Sequence, residues 1–186
     1  RMVTGVQTCA LPIYFRRQHP EVDLWIYSTD EVPEMTTQTI DLAVRDDISS
    51  QSECSFKVLY ADRLYPACHP SLLAVPSDQR TTLHGEREMD WSHWAVEAGI
   101  DVGQKDHGLN FSDPGLLLDA ACAGLGIALV SQLLSRQSRA SGLLQPLVEE
   151  TIRGPSWALL THRDSENSPL VRSFIEWLLS HLVAGS

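Results

Sequence analysis

Hydrophobic and polar residues alternate regularly from Glu21 onward. The stretch VDLWIYS, Val22 to Ser28, places Val22, Leu24 and Ile26 at every second position, which is the period of a strand. Trp25 and Tyr27 fill the positions between, so the pattern predicts a strand covered on both faces. IDLAVR, Ile40 to Arg45, alternates in the same way and runs into the polar loop RDDISSQSE. Phe56 to Tyr60 predicts a further strand, and Arg63 to Cys68 a second extended stretch. Pro66 has no N–H to give to a ladder, which puts that stretch at an edge or in a segment crossing between lobes. Short helices and turns between the strands predict an α/β chain rather than a run of hairpins.

Further along, the period lengthens. Asp90 to Gly99, DWSHWAVEAG, places Trp91, Trp94 and Ala98 on one helical face, with Asp90 as N-cap and Gly99 as terminator. KDHGLNFS reads as extended. In SDPGLLLDAACAGLGIALVS, Asp113 caps, Pro114 suits the first turn, and Leu116 to Ala123 forms an apolar helix that stops at Gly124. Gly126 to Ser131 predicts a buried strand. QLLSRQSRASG predicts a helix ending at Gly142, and Trp157 to His162 a strand. The last helix starts at Ser168–Pro169 and carries a stripe of Val171, Phe174, Ile175, Leu178 and Leu182.

Composition narrows the function. The chain has 186 residues, 14 basic and 24 acidic, for a net charge of −10. Only two of the basic residues are lysines, Lys57 and Lys105. Such a surface repels polyanions, so these residues by themselves are not expected to bind DNA or RNA. No apolar run is long enough to span a bilayer, and the opening residues do not form a secretion signal, because Gln7, Thr8 and Pro12 interrupt the apolar run. A cytoplasmic location is expected.

Catalytic chemistry is sparse. The four cysteines, Cys9, Cys54, Cys68 and Cys122, form no CxxC pair and stand at no zinc-ligand spacing to histidine. Cys122 suits a buried site, and Cys68 beside His69 is either buried or a redox switch. The seven histidines make no HExxH motif, and GLGIAL follows a helix and precedes a strand, the reverse of a dinucleotide loop. No enzyme constellation is visible, and no cofactor or metal is expected.

The collective pattern says more. RRQHPEVDLWI, DLAVRDD, LYADRLYPACHPSLL, DWSHWAVEAG, FSDPGLLLDAACAGLGIALVSQLL, GLLQPLV and FIEWLL follow one another at set distances. In this order they resemble the effector-binding domain of LysR-type transcriptional regulators, within the group of glycine-cleavage activators and β-lactamase regulators, over residues 14 to 183. The resemblance implies a periplasmic-binding-protein-like fold of type II, with two α/β lobes joined by two crossing segments. Lobe I would take residues 14–65 and 151–186, and lobe II residues 66–150. It also implies a bacterial regulator that binds a small-molecule effector, here a carboxylate or amino-acid-like metabolite, and assembles as a homodimer or homotetramer. DNA would be bound only through a winged helix-turn-helix preceding this domain. A solute-binding protein of a transport system is the alternative.

Residues 1–13 fit none of this. TGVQTCALPI, Thr4 to Ile13, reads as translated sequencing-adapter DNA, standing where the first strand of lobe I belongs. That strand is therefore expected to be missing, leaving an open sheet edge.

The resemblance and the strand ends together nominate six effector-binding residues. Arg45 can clamp an acidic effector or pair with Asp46 or Asp47 in a surface network. Asp46 adjoins it in the same loop. Tyr65 offers a hydroxyl to the effector or packs at the crossing segment. Phe111 is a pocket wall or core. Ser112 can donate a hydroxyl at the helix N-terminus, where backbone amides favour an anion. Asp113 either lines that site or is a plain cap that occupies the amides itself.

Overall fold

A computed structural model describes residues 2–4, 15–27, 40–46, 54–85 and 90–183. The chain divides into two compact units: unit 1, Arg1–Ala61 with Ser156–Ser186, and unit 2, Asp62–Pro155. Two strands pass from one unit to the other. β4 spans Cys54–Cys68 and β9 spans Ile152–His162. The two extended stretches expected on either side of Ala61 are thus one strand, and Pro66 lies in a crossing segment. Pro66 stands opposite Leu129 in the ladder, and its carbonyl accepts from the Leu147 amide at 2.9 Å. The missing N–H costs nothing where the carbonyl alone is used.

In unit 1, β1 (Met2–Thr4) pairs in parallel with both β2 (Ile26–Tyr27) and β3 (Leu42–Arg45), and β3 runs antiparallel to β9. This corrects the expectation of a missing first strand. The place between β2 and β3 is filled by Met2–Thr4, because ladder pairing uses backbone groups that any extended residue carries. Residue 1 and residues 5–13, the rest of the anomalous segment, lie outside the described residues.

β2 is also shorter than the expected Val22 to Ser28, of which Ser28 lies outside the described residues. Alternation marks extended backbone, but a strand needs a partner, and β1 offers only Met2 and Val3 to Ile26 and Tyr27. Trp25 and Tyr27 are consequently exposed, not covered.

A helical turn over residues 15–18 (α1) brings Phe15, 1% exposed, against the C-terminal helix α6 (Pro169–Val183), which the short helix α5 (Arg163–Glu166) precedes. Its ring meets Phe174 edge-on at 4.9 Å and Trp177 at 5.4 Å. Among the described side chains of α6, the apolar stripe is Val171, Phe174, Trp177 and Leu178; the expected Leu182 lies outside them. Ile175 is only half-buried, and Trp177 takes its place because the indole reaches Phe15.

Unit 2 is a sheet covered on both faces. β7 (Ile127–Ser131) lies between β4, antiparallel to it, and β5 (Thr82–Gly85), parallel to it. β6 (Gly108–Phe111) adds in parallel to β5, and β8 (Gln145–Pro146) pairs antiparallel with β4. Alternation along β4 and β7 sorts the core. Leu64, Cys68, Ile127 and Leu129 face Trp91 and Trp94 of α2 (Trp91–Glu97). Tyr65, Ala67, Ala128 and Val130 face Leu117, Ala120 and Ala121 of α3 (Pro114–Cys122). Both indoles on the α2 side also donate to carbonyls, Trp91 to Leu83 at 2.9 Å and Trp94 to Ile100 at 2.8 Å, so burial leaves neither N–H unsatisfied.

The glycines of GLGIAL have separate mechanical roles. Gly124 has φ +77° and ends α3 with a Schellman pair: its amide donates to Ala121 and that of Leu125 to Ala120, each at 3.1 Å. At Gly126 a Cβ would stand 2.4 Å from the Thr81 carbonyl oxygen, to which the Ile127 amide donates. Only a residue without a side chain lets β7 enter beside β5 there.

Candidate effector site

Parallel strands carry their C-terminal ends to one side of a sheet, where helix N-termini also gather. In unit 2 that side holds the ends of β5, β6 and β7 and the starts of α3 and α4 (Gln132–Ala140). The antiparallel β4 contributes its first unit 2 residues, since Leu64 stands opposite Ser131. Phe111, Ser112 and Asp113 form the turn from β6 into α3. Phe111 is half-buried and packs against the core cluster around Tyr65 and Leu117. Ser112 is exposed.

Asp113 is the N-cap. Its carboxylate accepts from the Leu116 amide at 2.8 Å, and its carbonyl accepts from the Leu117 amide at 3.1 Å. Pro114 has no amide hydrogen, so within this first turn at most the Gly115 amide is left to meet an anion. A carboxylate already seated on the turn also opposes a second negative charge. The capping role therefore accounts for Asp113, and Ser112 carries the exposed hydroxyl of this turn.

Tyr65 stands opposite Val130, one residue from the end of β7, but does not open to solvent. It is 2% exposed in the core of unit 2, with its hydroxyl 2.8 Å from Ser135 Oγ. Ser135 spends its one hydroxyl hydrogen on the Ser131 carbonyl at 2.6 Å, so Tyr65 must be the donor of the pair. The Arg139 guanidinium carbon lies 5.7 Å from the Tyr65 ring centroid, within cation–π range. Burial pushes the Tyr65 hydroxyl above its ordinary pKa, a rise that the Ser135 bond and Arg139 only partly offset.

In unit 1 the corresponding side holds Arg45 and Asp46 at the end of β3. Arg45 stands opposite Ala158 in the ladder and is 9% exposed, and Asp46 is half-buried. Burying a guanidinium to this degree requires polar or charged partners.

Residue-by-residue reading missed Asp62 and Ser131. Asp62, 2% exposed, lies at the start of the unit 2 portion of β4. It accepts from the Ser131 hydroxyl, from the Arg63 amide at 2.8 Å and from the Leu133 amide at 3.3 Å. Ser131 in turn caps α4 by accepting from the Leu134 amide at 3.0 Å. The only advance signal was an acidic residue inside an otherwise strand-like run, and nothing local pointed to its partner far along the chain.

Cys68 is fully buried and its thiol is pushed up in pKa by that burial. Both features oppose thiolate chemistry. Among the described residues no group of three His, Cys, Asp or Glu is placed to hold a metal ion, and no helix is long and apolar enough to cross a membrane.

The same fold recurs in solved structures of bacterial gene regulators. The effector domain of the transcriptional regulator AmpR of Pseudomonas aeruginosa superposes with a TM-score of 0.77 at 23% identity, covering 98% of this chain and 95% of that one. The CrgA regulatory domain of Neisseria meningitidis gives 0.74 at 20% identity, with 97% of each chain covered. These likenesses define a LysR-type effector-binding fold, which is periplasmic-binding-protein-like of type II.

Residues 14–183 match the LysR substrate binding domain, and the chain belongs to that family. Among full-length relatives, the glycine cleavage system transcriptional activator of Escherichia coli K12 is 24% identical over 179 residues, 91% of this chain. The HTH-type transcriptional activator AmpR of Yersinia enterocolitica is 28% identical over 175 residues, 90% of this chain. This chain spans 59% of the length of each. Relatives of this kind are regulators rather than enzymes, and they disfavour the reading as a transport solute-binding protein.

Proposed function

We propose that this chain is the effector-sensing domain of a LysR-type transcriptional regulator, and that a small molecule carrying a carboxylate biases DNA binding and transcription through it. The observation that carries the reading is the buried Arg45 at a strand end of unit 1, in a chain whose family binds small molecules. In unit 1, Arg45 supplies charge and bidentate geometry for a carboxylate; in unit 2, Ser112 and Phe111 offer a hydroxyl and an apolar wall. Asp46 orients Arg45 or receives an amino group of the same ligand. Tyr65, turned into the core, shapes the lobe rather than touching the effector. The full-length protein acts in the cytoplasm as a homodimer or homotetramer and reads DNA through a separate winged helix-turn-helix.

A ligand that binds only the folded state raises the melting temperature, by the equivalent of about 2.7 kcal/mol at one hundred times its Kd. The test is a thermal-shift panel of amino acids, aromatic carboxylic acids and muropeptide fragments on the wild type and on Arg45→Met. At least one carboxylate should raise the wild-type Tm and leave the Arg45→Met Tm unmoved. An equal rise in both proteins, or a rise only with neutral compounds, overturns the proposal.

A further inference from the structure

We infer that the buried Asp62 carboxylate bolts the crossing strand β4 to the first turn of α4, so that Asp62–Tyr65 and Ser131–Ser135 move as one rigid block. The division between the two units falls between Ala61 and Asp62, directly beside this bolt. Asp62 accepts from two places in the chain, among them the Arg63 amide from β4 itself and the Ser131 hydroxyl and Leu133 amide from the start of α4. Three residues along β4, Tyr65 makes the second attachment through Ser135.

The hydrogens of the following bonds run in one direction. Tyr65 donates to Ser135, Ser135 donates to the Ser131 carbonyl, and Ser131 donates to Asp62 while accepting from Leu134. A carboxylate is the one side chain here that accepts from these donors without offering a hydrogen in return. A chain of bonds with a single consistent direction resists local rearrangement, because reversing one member strands another buried group. Asp62 is thus a positioning residue that holds the first unit 2 residues of β4 against the start of α4. The inference uses only contacts within unit 2 and stands whether or not the proposed effector chemistry holds.

Native-state hydrogen exchange of the full chain, without ligand, tests it. Asp62→Asn keeps shape but offers Ser131 or Leu133 an amide N–H₂ where an oxygen is required. Exchange at the Arg63, Leu133 and Leu134 amides should rise at least tenfold, and exchange at Leu117, Ala120 and Ala121 of α3 should stay within twofold of wild type. Tyr65→Phe, a milder change that keeps the ring, should raise exchange in the first turn of α4 by a smaller factor. A uniform rise across unit 2 in both variants would mean that Asp62 merely supports general stability. No rise at Leu133 and Leu134 would mean that α4 is held by other contacts. Either result overturns the inference.

Discussion

The described residues of the two units are held together differently. Unit 2 divides its apolar residues between two clusters, one on each face of its sheet, and its α2, α3 and α4 helices start on Asp90, Asp113 and Ser131 caps. Among the described residues of unit 1, Ala43 packs with Leu160, and Phe15, Phe174 and Trp177 form an aromatic group. Locally encoded caps and alternation make unit 2 a self-consistent fold. Unit 1 depends on residues far apart in the chain finding one another, since α1 and α6 stand near its opposite ends.

The largest test of this contrast is a pair of aromatic truncations. Trp94 is completely buried and hydrogen-bonded, and Trp177 is 7% exposed. Each change to alanine is expected to cost about 3–5 kcal/mol in urea unfolding. Trp94→Ala should speed hydrogen exchange mainly in unit 2 and Trp177→Ala mainly in unit 1. Equal effects across the whole chain from both would erase the distinction.

Next comes Gly126→Ala, whose methyl group would collide with the Thr81 carbonyl. A loss of about 1–3 kcal/mol is expected from overpacking, seen as a lower urea midpoint with unchanged slope. A neutral result would show that β7 has room to shift against β5.

Asp113→Ala removes a cap and should cost about 1 kcal/mol, whereas Ser112→Ala on the same turn should be nearly silent for stability. Were Ser112→Ala the more damaging, the assignment of the two side chains to binding and capping would be reversed.

The smallest effect is at alkaline pH. The folded-state pKa of Tyr65 lies above its ordinary value of 10.0, so the unfolded chain loses this proton first. The resulting stability is fully present below pH 10 and falls as pH rises from there through the folded pKa. Tyr65→Phe should flatten that alkaline decline in thermal scans between pH 9 and 11. An unchanged decline would mean that other groups govern it.

These contrasts also explain what the sequence disclosed. Asp113-Pro114 and Gly124 were readable because a cap and a terminator act on residues three or four positions away, and α3 runs between them as expected. Trp91 and Trp94 were readable because helical spacing alone puts them on one face. The Asp62–Ser131 pair was hidden, since its members lie 69 positions apart. The inward turn of Tyr65 was hidden for the same reason, its partner being Ser135. The length of β2 was misjudged because alternation says nothing of how much partner strand exists. Arg45 was readable as a strand-end cation, but its burial follows only from how β3 meets β9.

One detail of the crossing strands bears on how the molecule can be taken apart. The Arg63 guanidinium donates to the carbonyl of Thr151 at 2.9 Å and also to its hydroxyl. Thr151 lies just before β9 carries the chain back to unit 1. The points where the polypeptide departs and comes home are therefore tied side by side. That is the topology of an inserted cassette, whose ends can be joined by a short linker and the piece prepared by itself.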